Sequence, residues 1–121
     1  MQERRRFVRL PTQLPVTYQL LPSTQTHQAL TKQIGIAGTC LVLQETIRHG
    51  GLLRVTFTFP DAAQPLSLTG KVVWCERCET IGQTGRNVSF EAGVQFVQVD
   101  ESDVVALANF MASLLPSSPP S

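Results

Sequence analysis

Along most of this chain apolar and polar residues take turns, at the two-residue period of strands with one face buried. Val16, Tyr18 and Leu20 alternate with Thr17 and Gln19, which predicts a strand ended by the turn Pro22-Ser23-Thr24. Further strands are expected over 27–34, where alternation is poorer, and over 39–44. Gly50-Gly51 then breaks the chain before Leu52, Leu53, Val55, Phe57 and Phe59, a run stopped by Pro60-Asp61. Leu66, Leu68, Gly70, Val72 and Trp74 alternate next, so core packing is the expected role of Trp74. Residues 75–87 are polar and carry glycines, so a long hairpin loop is expected there. Val88, Phe90, Ala92, Val94 and Phe96 form the last strand.

Only the end of the chain changes period. Val104, Leu107, Ala108, Met111, Leu114 and Leu115 recur at steps of three and four, one apolar stripe of a helix that Asp100 or Ser102 can cap. Pro116 stops it, and 116–121 is expected to be a disordered tail. Six strands followed by one amphipathic helix predict an all-β fold: a small six-stranded antiparallel barrel, covered by that helix. The expected division is a flexible arginine-rich arm over 1–13, the barrel and helix over 14–115, and the tail.

Composition matters most where it is uneven. The chain has 121 residues, enough for one domain. Setting aside Arg4, Arg5, Arg6 and Arg9 from ten Lys/Arg, and Glu3 from nine Asp/Glu, leaves six bases against eight acids. The body is therefore slightly acidic and only the leader is basic, unlike a general nucleic-acid binder, which spreads bases over a face. A guanidinium is always charged and offers forked donors that match phosphate oxygens or the O6/N7 edge of guanine. The leader is thus a candidate clamp for an anion rich in phosphate or guanine; the alternative is a solvated tail. No run approaches the roughly 18 apolar residues of a membrane span, and no apolar segment backs the basic leader as in a secretory signal. Three cysteines, an odd number, do not make a disulfide framework. A soluble cytoplasmic domain is expected.

On four pieces of sequence, taken in order, the chain resembles the PilZ domain family. Arg4-Arg5 followed after three residues by Arg9 matches the family's arginine signature. Leu14-Pro15-Val16-Thr17-Tyr18 is similar to its first strand. Gly70-Lys71-Val72-Val73-Trp74 and Gly93-Val94-Gln95-Phe96 are similar to two later strands. The resemblance runs from Glu3 to about Leu115. It implies a split-barrel fold and a receptor for the bacterial second messenger cyclic di-GMP, gripped by Arg4, Arg5 and Arg9. Arg6 lies off the family pattern. It further implies coupling to a protein partner, not identified by the sequence, in motility, biofilm or secretion.

The family's second motif, Asp/Asn-x-Ser-x-x-Gly, is altered. Its positions fall on Gln33, Gly35 and Gly38. Gly38 keeps the glycine, suited to a tight turn or left-handed backbone. Gln33 keeps an amide able to bond guanine but has no carboxylate, and Gly35 has no hydroxyl. Each lost polar contact costs about 1–3 kcal/mol where it is desolvated. Two such losses weaken binding by roughly 10- to 10⁴-fold. The alternative is a PilZ fold that no longer binds the nucleotide and acts through protein contacts, as in type IV pilus or motility assembly. A nucleic-acid-binding barrel is a third, weaker reading.

Cys75-x-x-Cys78 is half of a zinc pattern, with Cys40, His27 and His49 as the remaining ligand types, none in a ligand-spaced pair. The histidines are isolated and read as surface or satisfied groups. No nucleophile–base pair, phosphate loop or spaced carboxylates stand out, so neither an enzyme, a metal nor a cofactor is expected.

Overall fold

The computed structural model describes residues 9–58, 64–83 and 85–114. The elements are β1 (Arg9–Pro11), β2 (Pro15–Leu20), β3 (Thr26–Gly35), β4 (Gly38–Leu43), β5 (Leu52–Phe57), β6 (Leu66–Gly82), β7 (Gly85–Val97) and α1 (Glu101–Leu114). All pairings are antiparallel. The order β3-β2-β5-β6-β7-β4 closes through a β3–β4 pairing, which gives a barrel of six strands, as expected. Closure leaves the barrel wall without edges. The leader's end adds a short strand: Arg9, Leu10 and Pro11 pair with Gly35, Ile34 and Gln33.

Alternation builds the core. Val16 and Tyr18, Leu41 and Leu43, Leu53, Val55 and Phe57, Leu68 and Val72, and Val94 and Phe96 all turn inward. Phe57 and Phe96 meet edge to face, 6.2 Å between centroids. Burying each such side chain contributes about 1.5–3 kcal/mol. α1 contacts β3 and β6 and adds Leu107, Phe110 and Met111 to the same cluster. Its buried stripe differs from the expected one. Phe110 is in it, whereas Val104 and Ala108 are exposed. Packing against β3 and β6 centres the buried stripe on 107, 110 and 111, which periodicity alone cannot fix. Asp100 is the cap: its Oδ1 accepts from the Asp103 N–H (2.9 Å) and the Ser102 hydroxyl (2.7 Å). These bonds, the Ser102 one foremost, hold its carboxyl below the usual aspartate range. Pro116 and the tail lie outside the described residues, as do Phe59 and Pro60.

The loop expected over 75–87 is instead a β-ribbon. β6 and β7 stay paired from Trp74↔Gly93 to Gly82↔Gly85. Its outer part buries little, so no core-facing alternation announces it. The ladder itself and the ion pairs of Glu79 with Arg77 and Arg86 hold it. No described helix is long and apolar enough to cross a membrane.

Candidate functional site

The residues around the altered motif are gathered by strand pairing. Arg9 lies opposite Gly35, and Pro11 opposite Gln33. The leader's end is therefore laid along the strand that carries the first two motif positions. Arg4 and Arg5 lie outside the described residues, and of Arg9 only the backbone is described. Between β1 and β2 the chain bows away from β3 at Thr12–Leu14, which strands the backbone groups there. Thr31 recovers them. Its fully buried hydroxyl donates to the Thr12 carbonyl and accepts from the Leu14 N–H (2.9 Å), while its own N–H reaches the Leu14 carbonyl (2.9 Å). A second buried threonine, Thr39, donates to the Gln33 carbonyl (2.7 Å) and fixes the motif strand from the other side.

Directly paired residues share a face of the sheet. One row across five strands reads Pro11, Gln33, Cys40, Gly93 and Trp74. A neighbouring row reads Gly38, Gln95 and Lys71. Gly38, Cys40, Trp74, Gly93 and Gln95 line a cavity of about 270 Å³ on this outer face. Gly38 is required by close approach rather than by a left-handed backbone. A Cβ there would collide with the Val94 carbonyl oxygen, and positive φ among the described glycines occurs only at Gly50 and Gly85. At Gly93 a Cβ would run into the Trp74 indole, which would have to move aside.

Trp74 corrects the expectation of a core tryptophan. The register steps from Val72↔Val94 to Trp74↔Gly93, so Val73 is a surplus residue. That bulge reverses the alternation and leaves Trp74 on the outside, 40% exposed, over Gly93. The signal for this in the sequence is Gly93 itself, a glycine inside a strand, which marks a close approach. Lys71 is a second residue the motifs do not single out. It is exposed at the end of the second row, and among the described residues no carboxylate pairs with it. Lys32, beside Gln33, is held by Glu91 at 3.1 Å. Hydrogen bonding and charge from that carboxylate raise its ammonium above the usual lysine value.

The remaining sequence candidates do not converge. Cys75 and Cys78 sit three apart on an unbroken stretch of ladder, so they stand on opposite faces of the ribbon and do not share one metal. Among the described residues no three His, Cys, Asp or Glu side chains gather. His27 stacks on Tyr18 with centroids 5.1 Å apart, and its Nδ1 lies 3.5 Å from Glu45; His49 is exposed.

The family described as PilZ domain matches residues 3–113. No curated protein sequence matches. The fold is similar to the PilZ domain of YcgR from Escherichia coli, solved with c-di-GMP. The two share 12% identity at a TM-score of 0.78, over 93% of this chain and 92% of that one. It is similar to MrkH of K. pneumonia, solved as a c-di-GMP complex, at 12% identity and a TM-score of 0.71, over 93% of this chain. It is also similar to the Bacillus subtilis inhibitor of motility MotI, at 18% identity and 0.69, again over 93% of this chain. The chain spans about half the length of the MrkH and MotI chains.

Proposed function

The chain belongs to the PilZ domain family, and from that premise we propose that it is a cyclic di-GMP receptor rather than an enzyme. Arg4, Arg5 and Arg9 of the leader grip the phosphates and the Hoogsteen edge of a guanine. Gln33, Gly35 and Gly38 form the facing wall, with the Gln33 amide left to bond guanine and Gly35 leaving room for the ligand at the backbone. The exposed Trp74 indole and the Lys71 ammonium flank that wall and suit a purine plane and an anion. In this reading 1–13 is the arm, 14–115 the body and 116–121 a tail, and the protein works in the cytoplasm.

The register of Arg9 against Gly35 carries the proposal, since it ties the base of the arm to the strand bearing the motif. The c-di-GMP complexes of the YcgR PilZ domain and of MrkH, among the similar folds, support it. Arm closure over the nucleotide then changes the surface offered to a protein partner in motility, biofilm or secretion signalling. A second reading rests on the missing acid and hydroxyl at Gln33 and Gly35 and on the exposed Val104 and Val105 of α1. It makes the protein a nucleotide-independent interaction module, as in type IV pilus or motility assembly.

Calorimetry with cyclic di-GMP decides between them. Saturable heat, lost in Arg5→Ala and Arg9→Ala and strengthened in the Gln33→Asp/Gly35→Ser double variant, is the expected result. No heat at millimolar nucleotide rejects the receptor reading.

A further inference from the structure

β4 borders β7 as far as Phe90, opposite Arg77, and from Cys78↔Ser89 outward the β6–β7 hairpin is a two-stranded ribbon that ends at Gly82↔Gly85. A lone two-stranded hairpin is marginal in water; three or more strands are needed for independent stability. One side of the ribbon is open. β5 covers β6 as far as Lys71, and Gly50 and Gly51 bond the Val72 carbonyl and N–H at 2.7 and 2.9 Å. Past that point no described strand pairs with this side of β6. Val72 turns its N–H and C=O toward β5, and the surplus residue at Val73 reverses the alternation. Cys75, Arg77, Glu79 and Ile81 therefore present their backbone groups to the open edge. Ile81 is 84% exposed.

We propose that this edge docks a second copy of the chain, β6 against β6, antiparallel, about a two-fold axis at Cys78. The edge is self-complementary in that register. Arg77 falls opposite the partner's Glu79 and Glu79 opposite the partner's Arg77, at hydrogen-bonding positions of the new ladder. Cys75 meets the partner's Ile81, Glu76 meets the partner's Thr80, and no like charges oppose. The other free edge of the ribbon, residues 85–89, holds Arg86 as its one charge and offers no such match. The product is a four-stranded sheet. The partner's Trp74 stands eight residues along from Trp74, roughly 27 Å at about 3.4 Å per residue, so the barrels sit at opposite ends. Glu79 already pairs with Arg77 and Arg86 within one chain, and the partner's Arg77 joins that network. The interface is isologous and closes as a dimer. It stands whether or not the nucleotide binds.

The axis makes a sharp test. Cys78 and the partner's Cys78 form a non-hydrogen-bonded pair, with Cα atoms about 4.5 Å apart, inside the range of a disulfide. Desolvation, then Glu91 and Glu76, push the Cys78 thiol up, so oxidation is run at alkaline pH. Diamide accepts two electrons and two protons as the two thiols join. The expected result is a covalent dimer that Cys75→Ser keeps and Cys78→Ser loses. In sedimentation experiments Arg77→Glu weakens association at least about ten-fold, because carboxylates then oppose. The Arg77→Glu/Glu79→Arg double variant restores it, with circular dichroism unchanged throughout. A wild-type chain that stays monomeric at millimolar concentration overturns the proposal. So does a double variant as dissociated as Arg77→Glu, or a crosslink that survives Cys78→Ser.

Discussion

The two ends of this barrel are held by different forces. Where the leader joins, β1 and β3 lie over the buried core, and two buried threonines bond the backbone groups that the bow at Thr12–Leu14 and the register shift between Thr31 and Gln33 would strand. No buried side-chain polar atom among the described residues lacks a partner. At the other end the ribbon carries exposed side chains, Ile81 among them, and its side-chain bonds are surface ion pairs worth about 0–1 kcal/mol each. One end is therefore fixed by buried hydrogen bonds. The other is a ladder whose stability is small and whose open edge invites company.

The largest effect that tests this contrast is Phe57→Ala. It empties a site with no exposure and should cost about 3–5 kcal/mol in a denaturant melt. Ile81→Ala in dilute monomer should stay within about 0.5 kcal/mol. Equal costs would mean that the ribbon is anchored by more than its ladder. Thr31→Val comes next. It keeps the shape but orphans the Leu14 N–H and the Thr12 carbonyl, at about 1–3 kcal/mol. Hydrogen exchange should quicken at β1 and Leu14 while ribbon amides keep their rates. Faster exchange in both regions would show that the two ends are one cooperative unit.

The smallest effect is acidic. Asp100 caps the helix, and its carboxyl titrates below the usual range because the fold supplies hydrogen bonds that the unfolded chain lacks. Its contribution is fully present above the unfolded value and is lost as pH falls through the lower folded value. Asp100→Asn keeps a capping oxygen and removes that titration. The melting gap between wild type and variant should therefore change across that acid window and level off above it. A gap that is flat with pH would rule out the cap as the cause.

How legible each end was follows from the same contrast. The barrel strands were readable because burial on one face imposes alternation, as at Val16, Tyr18 and Leu20. Family spacing singled out Gln33, Gly35 and Gly38 as a proposed wall, whereas the close approach at Gly38, a carbonyl pressed against it, required the fold. The outer part of the ribbon was not readable, since its backbone pairs with little apolar surface to hide. Trp74 misled because one surplus residue inverts every later facing, and no property of Val73 marks it as the surplus. Phe110 was missed because a helix stripe is broad and the neighbouring strands choose its centre line. Arg4 and Arg5, the strongest chemical signal in the sequence, lie outside the described residues.

The extra residue at Val73 also works as a corner post. Bulges bend the strand that carries them and sharpen its twist, and this one stands where β6 passes the end of its pairing with β5. Shortening the chain by that single residue would leave the same side chains looking outward, yet the spur would point along a new heading. Its aim, and with it whatever it can reach, is set by a count of residues rather than by the identity of any of them.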